Sequence, residues 1–159
     1  MAGPSSQHDI RRVEPDGALL FCGTNLRVRV KFLKPGLVLA SAHGAAVDAE
    51  DASAEVALLA EFDRELERAG TLTVFADLRE SPRMPAASRE KITQWARLHH
   101  TELRPSQVLV RSNLLEMAMS IIAMVLGGGL VKVHTNPQAF LALLKQVAPE
   151  LTELPKVPA

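Results

Sequence analysis

The sequence predicts an α/β sandwich: a mixed sheet of about six strands with four helices. Three patterns predict it. Residues 26–33, LRVRVKFL, alternate apolar and basic side chains with a period of two, which marks a strand with one covered and one wetted face. Beyond residue 50, helical repeats alternate with short apolar runs, the order that builds parallel strands joined by helical crossovers. The length of 159 residues suits one domain with a single core.

Residues 1–16 are polar, carry Gly3, Pro4 and Pro15, and read as a disordered lead-in to one domain over residues 17–149. Residues 18–22, ALLFC, form a short apolar strand, and Gly23, Thr24 and Asn25 supply the turn after it. On the next strand Leu26, Val28, Val30 and Phe32 share one face, and Arg27, Arg29 and Lys31 share the other. Pro35 and Gly36 mark a turn into a third strand over 37–42, so the three form an antiparallel meander.

A helix opens at Asp51 or Ser53 and ends at Gly70, with Val56, Leu59, Phe62 and Leu66 as its buried stripe. Residues 71–77, TLTVFAD, read as an interior strand. Pro82 and Pro85 keep the following loop irregular. A second helix spans 87–103, with Ile92, Trp95, Ala96 and His99 at helical spacing. After a strand over 108–110, Asn113 caps a third helix over 114–126, which Gly127, Gly128 and Gly129 stop. A last strand covers 130–134. Asn136 and Pro137 open a fourth helix that buries Phe140, Leu143 and Leu144. Residues 150–159, with Pro155 and Pro158, read as a flexible tail.

Lys plus Arg total 18 and Asp plus Glu total 18, so no net field recruits nucleic acid or an acidic membrane. The acidic stretch 48–68 and the basic stretch 27–34 each read as a solvated face. Cys22 is the single cysteine, which permits no internal disulfide, and it reads as a small buried hydrophobe. The first residues lack the apolar core of a signal peptide. The longest apolar run, 117–126, falls far short of the roughly 20 residues of a membrane span. These features predict a soluble, cytoplasmic protein without stable membrane insertion.

Chemistry-bearing residues are scattered. His8, His43, His99, His100 and His134 show no metal-ligand spacing, and His99 reads as a satisfied core histidine. Asp77 sits at a strand end, where open α/β sheets place ligand sites, and Glu80 follows it. The plainer role of Asp77 is to accept N–H bonds of the loop. The triple glycine lies between a helix and a strand, the reverse of a phosphate loop. No nucleophile with a positioned acid and base is legible, so catalysis, a metal and a cofactor are not expected. The third helix is apolar most of the way round, with Met117, Met119 and Met124 among its residues. Such a helix is either deeply buried or pressed on a partner, a second copy of the chain included.

Three stretches carry a resemblance: VFADLRE (74–80), QVLVRSNLLEMAMSIIAMVLGGG (107–129) and LVKVHTNPQAFLALL (130–144). With the element order, they make residues 18–148 resemble the STAS and SpoIIAA-like superfamily, which includes bacterial anti-anti-sigma factors and is related in fold to the CRAL-TRIO lipid carriers. Phosphoregulated members place a serine acceptor at the start of the helix after the Asp-Leu strand. Laid on that turn, this chain has Pro85, Ala86, Ala87 and Ser88, so the acceptor and the acid before it are missing. Ser88 falls one or two places late and reads as a helix N-cap rather than an acceptor.

The resemblance implies a non-enzymatic bacterial signalling module that binds a regulatory or anti-sigma-like protein without the usual switch. Its docking residues would be Arg79, Glu80, Arg83, Met84, Ser88, Arg89 and Lys91. The CRAL-TRIO relation implies an alternative, a carrier of a lipid or other small apolar ligand. That alternative expects a closed apolar cavity of about 300 Å³ or more near the third helix.

Overall fold

A computed structural model describes residues 9–156. The expectations for His8, for residues 1–8 and for residues 157–159 lie outside the described residues.

One seven-stranded sheet runs in chain order: β1 (Arg11–Val13), β2 (Leu19–Cys22), β3 (Arg27–Lys34), β4 (Leu37–His43), β5 (Thr73–Glu80), β6 (Ser106–Leu109) and β7 (Val131–His134). The pairs from β1 to β4 are antiparallel, and those from β4 to β7 are parallel. The helices are α1 (Ala49–Ala69), α2 (Ala86–Leu98), α3 (Asn113–Val125) and α4 (Pro137–Val147). The fold class is the mixed α/β sandwich that the sequence predicts, with one strand more.

Strand order explains the layering. Three successive crossovers of one hand between neighbouring parallel strands place their helices on the same face. Accordingly α1, α2 and α3 cover the face that carries Val28, Val30, Val38, Val74 and Val108. Among the described residues no strand follows α4, which turns back onto the opposite face, where Leu37, Leu39, Phe75 and Leu109 meet Phe140 and Leu144. Phe75 and Phe140 pack edge-on with ring centroids 5.7 Å apart.

The extra strand, β1, lies within the segment read as a disordered lead-in. Its side chains are all exposed, so it has no apolar signature. Backbone pairing with β2 holds it, together with the ion pair of Arg11 with buried Glu61 of α1 at 3.4 Å. At the other end Leu151 and Leu154 pack against the Phe140 cluster, so that part of the expected flexible tail is held.

Helix ends differ from expectation where a cap was misplaced. Asp48, not Asp51 or Ser53, caps α1. The Asp48 side chain accepts from the Asp51 N–H and Asp51 answers as the other half of a capping box. This phase turns Val56 out to solvent, while Phe62 and Leu66 face the sheet. Ser112, one residue before Asn113, caps α3. The α2 helix stops at Leu98, because Leu103 leaves to form a bridge with Leu72 beside β5. Asn136 and Pro137 open α4 as expected.

Candidate functional site

The charged residues around β5 and α2 are mostly tied to internal partners. Asp77 points to the α4 face and grips the Arg79 guanidinium at 3.0 and 2.9 Å, while also accepting the Arg79 N–H at 3.2 Å. The hydrogen bonds to Asp77 raise the Arg79 pKa above its ordinary value, against the opposing pull of burial. Glu80 pairs with Arg111 at 3.5 Å, and Lys91 with Glu55 of α1 at 3.1 Å. Met84 packs against the Val108–Leu115 cluster. Arg83 and Arg89 make no ion pair among the described residues. The structure therefore leaves two of the seven sequence-predicted docking residues with a charge that no internal partner holds.

Ser88 is not an N-cap. The helix starts at Ala86 and its cap position is Pro85, which offers no side-chain acceptor. Ser88 thus falls on the third helical residue, only 4 % exposed, and turned toward the helix–sheet interior. Ala86 and Ala87, at the acceptor positions implied by the resemblance, are exposed.

Phase also divides the methionines of α3. Met119 is 6 % exposed and packs on β6 with Leu115 and Ile122. Met117 and Met124 are 63 % and 73 % exposed, beside exposed Leu114. The proposed interface trio is therefore one core residue and two surface residues.

His99 and His134 find ordinary partners. His99 lies 3.0 Å from Asp63 and 3.3 Å from Glu102, and Trp95 Nε1 donates to the same Asp63 at 2.8 Å. It is satisfied, at the rim of the helix layer rather than in the core. His134 sits 2.6 Å from Gln107 Oε1, and burial, helped by Lys132, holds its pKa below the ordinary value. Among the described residues no three His, Cys, Asp or Glu are placed to hold a metal ion, and no helix is long and apolar enough to cross a membrane.

The feature of the molecule that the sequence does not display is a cavity of about 210 Å³ between the helix layer and the sheet. Its floor is Val74, Ala76 and Leu78 of β5 with Ala40 and Ala42 of β4. Its walls are Leu58, Leu59 and Phe62 of α1, Ile92 and Trp95 of α2, and Leu115, Met119 and Ile122 of α3. The cause is local. Sheet and helices are spaced by side-chain length, and three alanines on adjacent strands are too short to reach the helices above them. The burial pattern of β5 records the gap. Phe75 and Asp77, under α4 alone, are buried, whereas Val74, Ala76 and Leu78, under three helices, are only half-buried. Side-chain polarity enters the wall at Glu55, Ser81, Arg83, Ser88 and Ser106, with Arg83 exposed on the rim. The alternation of alanines at 40, 42 and 76 was the available sequence signal.

No protein-family model matches the chain, and no curated protein matches it.

Proposed function

We propose that this protein is a non-enzymatic, cytoplasmic binder of a small apolar ligand, which it holds between the sheet and α1–α3. The supporting observation is the cavity of about 210 Å³ with an almost wholly apolar wall. Dry cavities of about 150 Å³ take up benzene, and drug-sized ligands occupy about 300 Å³ or more. The space is smaller than the sequence-based carrier expectation, so the ligand is correspondingly small. Most of the charge around the β5–α2 loop is held within the molecule, which favours this reading over docking through that loop.

The test is native mass spectrometry and solvent extraction of protein purified without detergent, followed by calorimetric titration of the extracted compound or of 1-octanol. A stoichiometric apolar ligand, lost in Ala76→Leu, is expected. No extracted ligand and no heat of octanol binding would overturn the reading.

A second reading, a protein-binding module of the STAS type, is favoured by one observation: Leu114, Met117, Met124 and Val125 are all exposed on α3. Large apolar side chains in one exposed patch mark association surfaces. Arg83 before α2 and Arg89 in its first turns, without an ion pair among the described residues, would steer an acidic partner. Light scattering of the purified protein, and pull-downs from its native lysate with Arg83→Glu plus Arg89→Glu, test it. A monomer with an unchanged set of captured proteins would count against it.

A further inference from the structure

We infer that the ligand is an amphipathic carboxylate, seated with its charged end on the β5–α2 loop and its apolar end over Ala40 and Ala76. The inference rests on the cavity reading above and adds the chemistry of one end of that cavity.

The first observation is the start of α2. The first backbone bond into the helix runs from the Arg89 N–H to the Pro85 carbonyl at 3.0 Å, so the N–H groups of Ala86, Ala87 and Ser88 have no helical acceptor. Proline at the cap position supplies no side-chain oxygen to them. A helix N-terminus with free N–H groups attracts an anion through its hydrogen bonds and its dipole.

The second observation is independent and lies inside the cavity wall. Ser88 is 4 % exposed and Ser81 is 6 % exposed, and both line the cavity. The side-chain hydrogen bonds of α2 begin at Lys91, Thr93 and Trp95, and neither serine hydroxyl has a partner among the described residues. Among the described residues the one sealed side-chain oxygen without a hydrogen-bond partner is Glu14 Oε1, so the two serine hydroxyls open on the cavity itself. Two hydroxyls facing a largely apolar space favour an occupant that carries a polar atom.

Charge selects the sign of that atom. Arg83 stands on the rim without an ion pair among the described residues. The carboxylate in the wall, Glu55, is neutralised by Lys91 at 3.1 Å. The donors that border the cavity are therefore one guanidinium at the rim, the N–H of Ser88 and two hydroxyls, and they fit a carboxylate. Size limits the rest. At about 30 Å³ for each water-sized group, a cavity of about 210 Å³ holds a tail of roughly seven heavy atoms. A straight tail of that size makes a medium-chain acid such as octanoate.

Calorimetric titration of the full chain with octanoate and with 1-octanol tests the inference. The variants are Arg83→Gln, Ser88→Ala and Ala76→Leu. Octanoate is expected to bind about tenfold or more tighter than octanol, the scale of charge-assisted hydrogen bonds. Arg83→Gln combined with Ser88→Ala should erase that preference by weakening octanoate binding about tenfold more than octanol binding, while Ala76→Leu should abolish both. Equal binding of octanoate and octanol would overturn the carboxylate inference and leave the cavity reading standing. Binding of neither compound would overturn both. Octanoate binding that survives Ala76→Leu would place the acid outside the cavity and overturn the inference as well.

Discussion

Asp51 reaches from the first turn of α1 to Asn25 in the β2–β3 turn, accepting its backbone N–H at 2.8 Å and its Nδ2 at 2.9 Å. The same carboxylate accepts from the N–H groups of Leu26, Val47 and Asp48 at 3.1, 2.9 and 3.2 Å. A fully buried charge is tolerated because five donors replace its water. One side chain thereby fixes the antiparallel half of the sheet to the first helix.

Asp51→Asn turns one of those acceptor atoms into a donor that faces donors. The expected loss is roughly 2 kcal/mol or more at neutral pH, read from the urea midpoint at constant m-value. The pH dependence has a definite sign. Burial alone would raise the Asp51 pKa, but the hydrogen bonds from Asn25, Val47 and Asp48 outweigh it and set the folded value well below the ordinary 3.8. The carboxylate therefore contributes its stability above the unfolded value and loses it as pH falls toward the folded one. The stability gap between wild type and Asp51→Asn should narrow from about pH 5 downward, and a constant gap would refute the account.

Gly23 is required by the same contact. A Cβ at Gly23 would lie 2.1 Å from Asp51 Oδ1 and 2.6 Å from Asp51 Cα. The clash includes backbone, so no rotamer relieves it. Gly23→Ala should cost about 2 kcal/mol or more, from overpacking alone. Wild-type thermal stability of this variant would mean that the turn and α1 do not meet as described.

How much of this was legible follows from what sequence patterns encode. The strand β3 was readable because its two faces differ in chemistry. The helices were readable because Phe62, Leu66, Phe140 and Leu144 recur at helical spacing. The strand β1 was not, since Arg11, Arg12 and Val13 are all exposed and their stabilisation comes from pairing with β2. The α2 end was overrun because Leu103 continues the apolar spacing while its contact is Leu72, some thirty residues earlier. The cavity was hidden for a deeper reason. It is a property of Ala40, Ala76 and the helices above them jointly, and the sequence names side chains, not the space between them.

The phase of α3 makes a prediction that separates its methionines. Met117→Lys with Met124→Lys exchanges two exposed side chains and should leave stability within about 0.5 kcal/mol. Met119→Lys puts an unpaired charge against Val108 and Ile122 and should unfold the protein or cost about 4 kcal/mol or more. If the exposed face packs on a second copy, the double variant also converts a dimer to a monomer in light scattering. An unchanged mass would assign that face to solvent.

Filling the cavity should separate stability from binding. The alanine at 76 lies on the floor under α1–α3, half-buried at the edge of the Val108–Ile122 cluster, with the cavity open above it. Leucine there occupies empty space, so Ala76→Leu should leave the protein as stable as wild type or up to about 2 kcal/mol more stable. One strand position away the side chain points to the opposite face, where α4 packs closely on Phe75 and Leu109. Leu109→Ala on that face should cost about 3 kcal/mol, because it opens a void in a filled core. Calorimetric melting of the two variants decides the matter. A large loss in Ala76→Leu would mean that the helices already rest on Ala76 and that the space above it holds no ligand.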